Sequence, residues 1–150
     1  MKIRLLAVTR TDEPWIKDGM DYFVSRIKRY NDFETVHIKA STSTDPAVNR
    51  KLETKALLEK IARNETLVAL DEHGKQFTSE GFAQFIDARK QQSVKTLTFV
   101  IGGSYGFDKE LLEQAAFKIA LSQMTLPHQL ARLLFAEQLY RAFTILIVEK

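Results

Sequence analysis

Leu121-Ser122-Gln123-Met124-Thr125-Leu126-Pro127-His128-Gln129 decides how the rest of this chain is read. Before it, Phe117-Lys118-Ile119-Ala120-Leu121 has the length and apolar content of a strand. After it, an apolar-rich helical pattern runs from Leu130 to Ala142. Pro127 suits the first turn of that helix, where a backbone N–H has no partner to lose. A strand that feeds a helix through a short polar loop is the repeating unit of α/β folds. Upstream, Ile101-Gly102-Gly103-Ser104-Tyr105-Gly106 forms a second joint of the same kind.

Working outward, the unit recurs. Ile3 to Val8 reads as a buried first strand. Ile16, Met20, Phe23, Val24 and Ile27 recur at helical steps and predict an amphipathic helix ending near Tyr30-Asn31. Its other face carries Lys17, Arg26, Lys28 and Arg29, which suits solvent or, less commonly, phosphates. Phe33 to Lys39 predicts the second strand. Asp45-Pro46 predicts a capped helix start, with Val48, Leu52, Leu57, Leu58 and Ile61 marking a long helix that stops at Asn64. Thr66 to Leu70 is a third strand covered on both faces. Asp71-Glu72-His73-Gly74-Lys75 reads as a tight turn and not as a metal site, since no further ligand follows. Phe82, Phe85 and Ile86 point inward from a third helix, Thr96 to Ile101 is the fourth strand, and Asp108 caps a helix through Leu111, Leu112 and Ala115. This alternation predicts one α/β domain over residues 1–150, with a mainly parallel sheet and helices on both faces.

Composition supports that reading. With 150 residues, 45% hydrophobic and 27% charged, the chain is the size and make-up of one folded domain. It has no cysteine, which excludes disulfides and thiolate metal sites. The apolar N-terminal run is too short for a secretory signal, and no run approaches the roughly 18 residues of a membrane span. A soluble, cytoplasmic protein without membrane or metal is expected. The net charge of +3 permits a polyanionic partner without demanding one.

The two joints are where chemistry is expected, because open α/β sheets bind ligands outside the carboxyl ends of their strands. Gly102 to Gly106 is neither a Walker loop, since no Gly-Lys-Ser/Thr follows, nor a Gly-x-Gly-x-x-Gly fingerprint. Its glycines either free a turn or let a ligand approach the backbone. Ser122 to Leu126 offers hydroxyls, an amide and apolar walls, with no charge to neutralise a phosphate. An adenosine-type ligand fits this better than a triphosphate. On the last helix, at about 100° per residue, His128 and Arg132 share a side with Phe135 and Leu139. Glu137 and Arg141 fall nearly opposite, among Leu130, Leu133 and Leu134. Apolar residues on both flanks predict a helix covered all round, with its charges buried and Glu137–Arg141 paired at i,i+4. That pair reads equally as an internal salt bridge or as part of a site, and His128 as a cap, a core residue or a site group.

Three segments together resemble the RlmH family of the SPOUT superfamily: Phe99 to Gly106, Leu121 to Gln129, and Glu137-Gln138-Leu139-Tyr140-Arg141-Ala142. The likeness extends over the whole chain in length and order of elements. It implies a C-terminal deep trefoil knot and a homodimer. It also implies an S-adenosylmethionine-dependent methyltransferase acting on N3 of a pseudouridine in 23S ribosomal RNA of the large subunit. Carried onto this sequence, cofactor contacts fall to Leu70, Gly102, Leu121, Ser122, Gln123, Met124, Thr125 and Leu126. His128, Arg132, Glu137 and Arg141 are the candidates near the acceptor base. Family members carry a Tyr-His pair in a short tail after the final helix, whereas this chain ends Ile147-Val148-Glu149-Lys150. Two further readings follow from the resemblance. One is a ribosome- or RNA-binding protein on the same fold that no longer transfers methyl groups; the other is a SPOUT methyltransferase acting on tRNA.

Overall fold

The structure is a computed structural model and describes residues 1–148. Glu149 and Lys150, within the segment where the sequence departs from the family's tail, lie outside the described residues. Ten elements alternate strictly: β1 (Lys2–Val8), α1 (Pro14–Ile27), β2 (Phe33–Ile38), α2 (Pro46–Glu59), β3 (Thr66–Gln76), α3 (Ser79–Gln91), β4 (Thr96–Ile101), α4 (Lys109–Gln114), β5 (Phe117–Ala120) and α5 (His128–Val148). The five strands form one sheet in the order β2-β1-β4-β3-β5, and every pairing is parallel. The expected parallel α/β architecture is therefore present.

Side-chain alternation along the strands divides the core between the two faces. Ile3, Leu5, Val68, Leu97 and Phe99 pack with residues of α1, α3 and α5. Leu6, Val8, Leu67, Ala69 and Val100 pack with Leu57 of α2 and Leu111 of α4 on the other face. Both faces are covered, which is why the strands read as continuous apolar runs.

Three local expectations are corrected. The segment Asp71–Lys75 is not a separate turn but belongs to β3, which makes an excursion: Leu70 and Lys75 both pair with Ile119 of β5. Gly74 allows the chain to return, because a Cβ there would lie 2.6 Å from the Lys118 carbonyl carbon. In α2 the buried residues are Asn49, Glu53, Thr54 and Leu57, while Val48 and Leu52 are exposed, and the helix ends at Glu59 rather than Asn64. Asp45 does cap it, accepting from Ala47 N–H at 2.9 Å. Asp108 occupies the N-cap position of α4 but makes no side-chain capping bond; its own N–H donates to Thr54 Oγ1 at 3.0 Å.

The polar face of α2 is buried because it satisfies irregular backbone around it, where no ladder supplies partners. Asn49 accepts from Ser43 N–H at 2.9 Å and donates to the Ser43 carbonyl at 2.8 Å. Glu53 accepts from Ser41 N–H at 2.9 Å. The other carboxylate oxygen of Glu53 lies behind the glycine joint, 2.9 Å from where a Cβ on Gly103 would be.

Candidate active site

The parallel sheet brings the carboxyl ends of β3, β4 and β5 to one edge, and a cavity of about 720 Å³ opens there. Each strand end contributes a segment. The β3 excursion brings Leu70, Asp71 and Glu72, and the joint after β4 brings Ile101 to Phe107. The segment after β5 adds Leu121, Ser122, Met124, Thr125, Leu126 and Pro127, while His128 and Ala131 come from the start of α5. The glycine joint folds tightly, with Gly106 N–H donating to the Gly103 carbonyl at 3.0 Å and Gly106 at φ +76°. A Cβ on Gly102 would meet the Gly106 backbone at 3.1 Å, so a side chain at this wall would require the turn to shift. Met124 N–H donates to Ser122 Oγ at 3.0 Å, and Thr125 Oγ1 donates to Glu72 at 2.6 Å, tying the third segment to the first.

Of the residues singled out for a cofactor, Leu70, Gly102, Leu121, Ser122, Met124, Thr125 and Leu126 border the cavity, and Gln123 does not. Asp71 and Glu72 border it too, although the sequence reads as a turn there. The signal was available in principle: they follow β3 as Gly102 follows β4 and Ser122 follows β5. The lining contains no Lys or Arg, and its carboxylates are Asp71 and Glu72. Among the described residues no three His, Cys, Asp or Glu side chains are grouped to hold a metal ion.

The four acceptor-side candidates separate into two places. His128 is half-buried and borders the cavity. One turn further along α5, Arg132 is 2% exposed and turned away from the cavity, against the end of β1. Its Nη1 donates to the Thr9 carbonyl at 2.7 Å and to Thr11 Oγ1 at 3.3 Å, and its Nη2 donates to the Val8 carbonyl. Burial pushes this guanidinium down to about 10, against the pull of Asp12. Arg132 Nη2 lies 3.4 Å from His128 Nδ1. Burial, and then the neighbouring Arg132 charge, hold the His128 imidazole below its usual range, with Asp12 opposing. The loop carrying Asp12 is held against α5 by Gln129, which accepts from Asp12 N–H at 3.3 Å and donates to the Arg10 carbonyl at 3.2 Å.

Glu137 and Arg141 lie away from the cavity lining. They form the expected i,i+4 pair, with Arg141 Nε donating to Glu137 at 3.0 Å. That hydrogen bond raises the Arg141 pKa. Within the single chain α5 is not covered all round: the Arg141 side chain is 53% exposed and Leu130, Leu133 and Leu134 are half-buried. The fully buried stripe of the helix is Ala131, Arg132, Phe135, Ala136, Leu139, Ala142 and Phe143.

Comparison with known proteins joins this geometry to a family. A family profile described as "Predicted SPOUT methyltransferase" matches residues 1–150. The ribosomal RNA large subunit methyltransferase H of Geotalea uraniireducens (strain Rf4) is 40% identical over 146 residues, covering 97% of this chain and 95% of that protein. Its counterpart from Streptococcus mutans serotype c is 38% identical over 151 residues, with 97% and 95% covered. The crystal structure of a probable methyltransferase from Bordetella pertussis Tohama I has the same fold, with a TM-score of 0.56 at 17% identity over 95% of this chain and 96% of that one. A match over the full chain, together with close sequence relatives of nearly equal length, shows that the chain belongs to the SPOUT methyltransferases, in the family of the ribosomal RNA large subunit methyltransferases H.

Proposed function

We propose that the protein transfers a methyl group from S-adenosylmethionine to N3 of a pseudouridine in large-subunit ribosomal RNA. The observation that carries the cofactor assignment is the charge pattern of the cavity: backbone-rich and apolar walls, no Lys or Arg, and the carboxylates of Asp71 and Glu72. A triphosphate would meet like charge with no cation to offset it, whereas an adenosine bearing a sulfonium and an ammonium group meets opposite charge. Leu70, Gly102 and the segment Leu121–Leu126, including Gln123 through its place in that segment, form the cradle. When bound, the sulfonium supplies an electrophilic methyl group, so no metal is required. Titration calorimetry tests the assignment. S-adenosylmethionine binds the protein and ATP does not; absence of S-adenosylmethionine binding contradicts the reading.

The chain's own residues then have distinct tasks. The cradle orients the cofactor for transfer. His128, at the junction of cradle and α5, faces the side where an acceptor enters. Arg132 fixes the end of β1 and the loop that follows it and acts as a positioning residue. The ribosomal RNA substrate is supported by the names of the relatives, and N3 of pseudouridine by the family resemblance. Exposed Lys17 on α1, with Lys28 and Arg29 in the turn just after it, suits phosphate contacts.

A homodimer belongs to the same proposal. Trp15 and Tyr22 are exposed on α1, and Leu133 of α5 lies against Gly19 between them. With half-buried Leu130 and Leu134, these make an apolar surface flanked by Glu137 and Arg141, suited to a second copy. The deep trefoil knot is likewise proposed. It is supported by the family and by the way the segment after β5 is tied to the β3 excursion before α5 packs between α1 and α3. Within the described residues no helix is long and apolar enough to cross a membrane; a ribosomal substrate supports a cytoplasmic location as part of the same proposal.

A further inference from the structure

Resting on the methyltransferase reading, we propose that His128 serves the acceptor base as a hydrogen-bond donor through Nε2–H, and not as the base that removes its proton. The geometry of Arg132 decides this. A guanidinium has only N–H groups to offer and no acceptor. Arg132 is also fixed, since Nη1 and Nη2 hold the carbonyls of Thr9 and Val8 at the end of β1. The ring nitrogen 3.4 Å from Nη2, His128 Nδ1, therefore presents a lone pair, and a neutral imidazole must carry its proton on Nε2. The opposite tautomer would set Nδ1–H against Arg N–H, two donors facing each other. A doubly protonated ring would add a second positive charge beside the buried guanidinium. The titratable groups facing His128 are Arg132 on its own helix and Asp12 on the β1–α1 loop. With Nδ1 turned inward, the Nε2 edge is the one left for the cavity that His128 borders.

This arrangement suits the chemistry of the proposed acceptor. N3–H of a pseudouridine is a weak acid flanked by two carbonyl oxygens, and the negative charge left by its loss spreads onto both. An N–H donor at one oxygen stabilises that anion. The N3 proton passes to solvent water. The freed N3 electron pair then bonds to the methyl carbon while the carbon–sulfur bond breaks, its pair remaining on sulfur. The rate consequently continues to rise with pH through the histidine range, instead of levelling off as it does when an imidazole base becomes fully deprotonated.

Long-range proton–nitrogen correlation spectra of the intact protein, labelled at its histidine rings, read the tautomer directly, with His128→Gln assigning the His128 signal among His37 and His73. The expected result at neutral pH is a proton on Nε2. In methyl transfer to ribosomes lacking the modification, His128→Gln, which keeps an N–H donor, stays within about tenfold of wild type. His128→Ala falls by about a hundredfold or more, the range for loss of one oxyanion donor. Calorimetry on both variants checks that cofactor affinity is kept. An active wild type with Nδ1 protonated, or with equal losses in the two variants, overturns the proposal. Wild-type protein that binds cofactor but transfers no methyl group overturns the function on which it rests.

Discussion

Arg132 shows how much one buried side chain can reorganise the reading of a site. The sequence placed it beside His128 one helical turn away, and that spacing holds in the structure. The hydrogen bonds to Val8 and Thr9 had no local signal, because they join residues more than a hundred positions apart. They also explain how Thr9 is held at φ +64°, a region costly for a β-branched residue. Burial and Arg132 together keep the His128 imidazole below its usual pKa. The sign follows from linkage. As pH falls below about 6.5 the unfolded chain takes up a proton at this position before the folded one does, so the folded state loses stability on acidification. Urea unfolding between pH 7.5 and 5.5 should show that slope in wild type and a shallower one in His128→Gln; identical slopes would contradict the assignment.

At the scale of elements, the strands and most helices were legible because covered β-strands and amphipathic helices write their burial into apolar periodicity. Ile16, Met20 and Ile27 of α1 and Phe82, Phe85 and Ile86 of α3 are buried as that periodicity requires. In α2 the buried face joins Leu57 to the polar Asn49, Glu53 and Thr54, so an apolar count found its C-terminal part and missed the polar part, taking exposed Val48 and Leu52 instead. The difference is measurable. Asn49→Ala removes both bonds to Ser43 and should cost about 1–3 kcal/mol. Leu52→Ala, on an exposed position, should change stability by no more than about 0.5 kcal/mol. Reversal of that order in denaturant unfolding would restore the apolar face as the buried one. The β3 excursion was hidden for another reason: Asp71 to Lys75 carries turn residues, and only the register with Ile119 shows that pairing resumes. Gly74→Ala sets a Cβ against the Lys118–Ile119 backbone, which cannot rotate aside. It should destabilise the protein by about 1–3 kcal/mol and weaken cofactor binding, since the same excursion presents Asp71 and Glu72. Gly19→Ala meets only the flexible end of Leu133 and is the milder control.

At the scale of the molecule, the parallel sheet gathers three strand ends and the start of α5 around one cavity, and this much of the site could be anticipated from the order of elements. What order could not convey is the division of α5 into a buried stripe and a second, half-covered apolar side. Periodicity saw both sides as covered, because it cannot distinguish a side met by the same chain from one met by another copy. Leu134→Glu, placed on that side, should convert a dimer to a monomer in sedimentation equilibrium while leaving the fold intact. A wild type that is already monomeric at micromolar concentration would remove the proposed role of this surface.

The central claim is tested most directly by incubating the protein with methyl-labelled S-adenosylmethionine and ribosomes from cells lacking the modification, alongside tRNA, and then identifying the labelled nucleoside. The account predicts label in large-subunit ribosomal RNA, on N3 of a pseudouridine. Label in tRNA, or cofactor binding without any transfer to RNA, would contradict it.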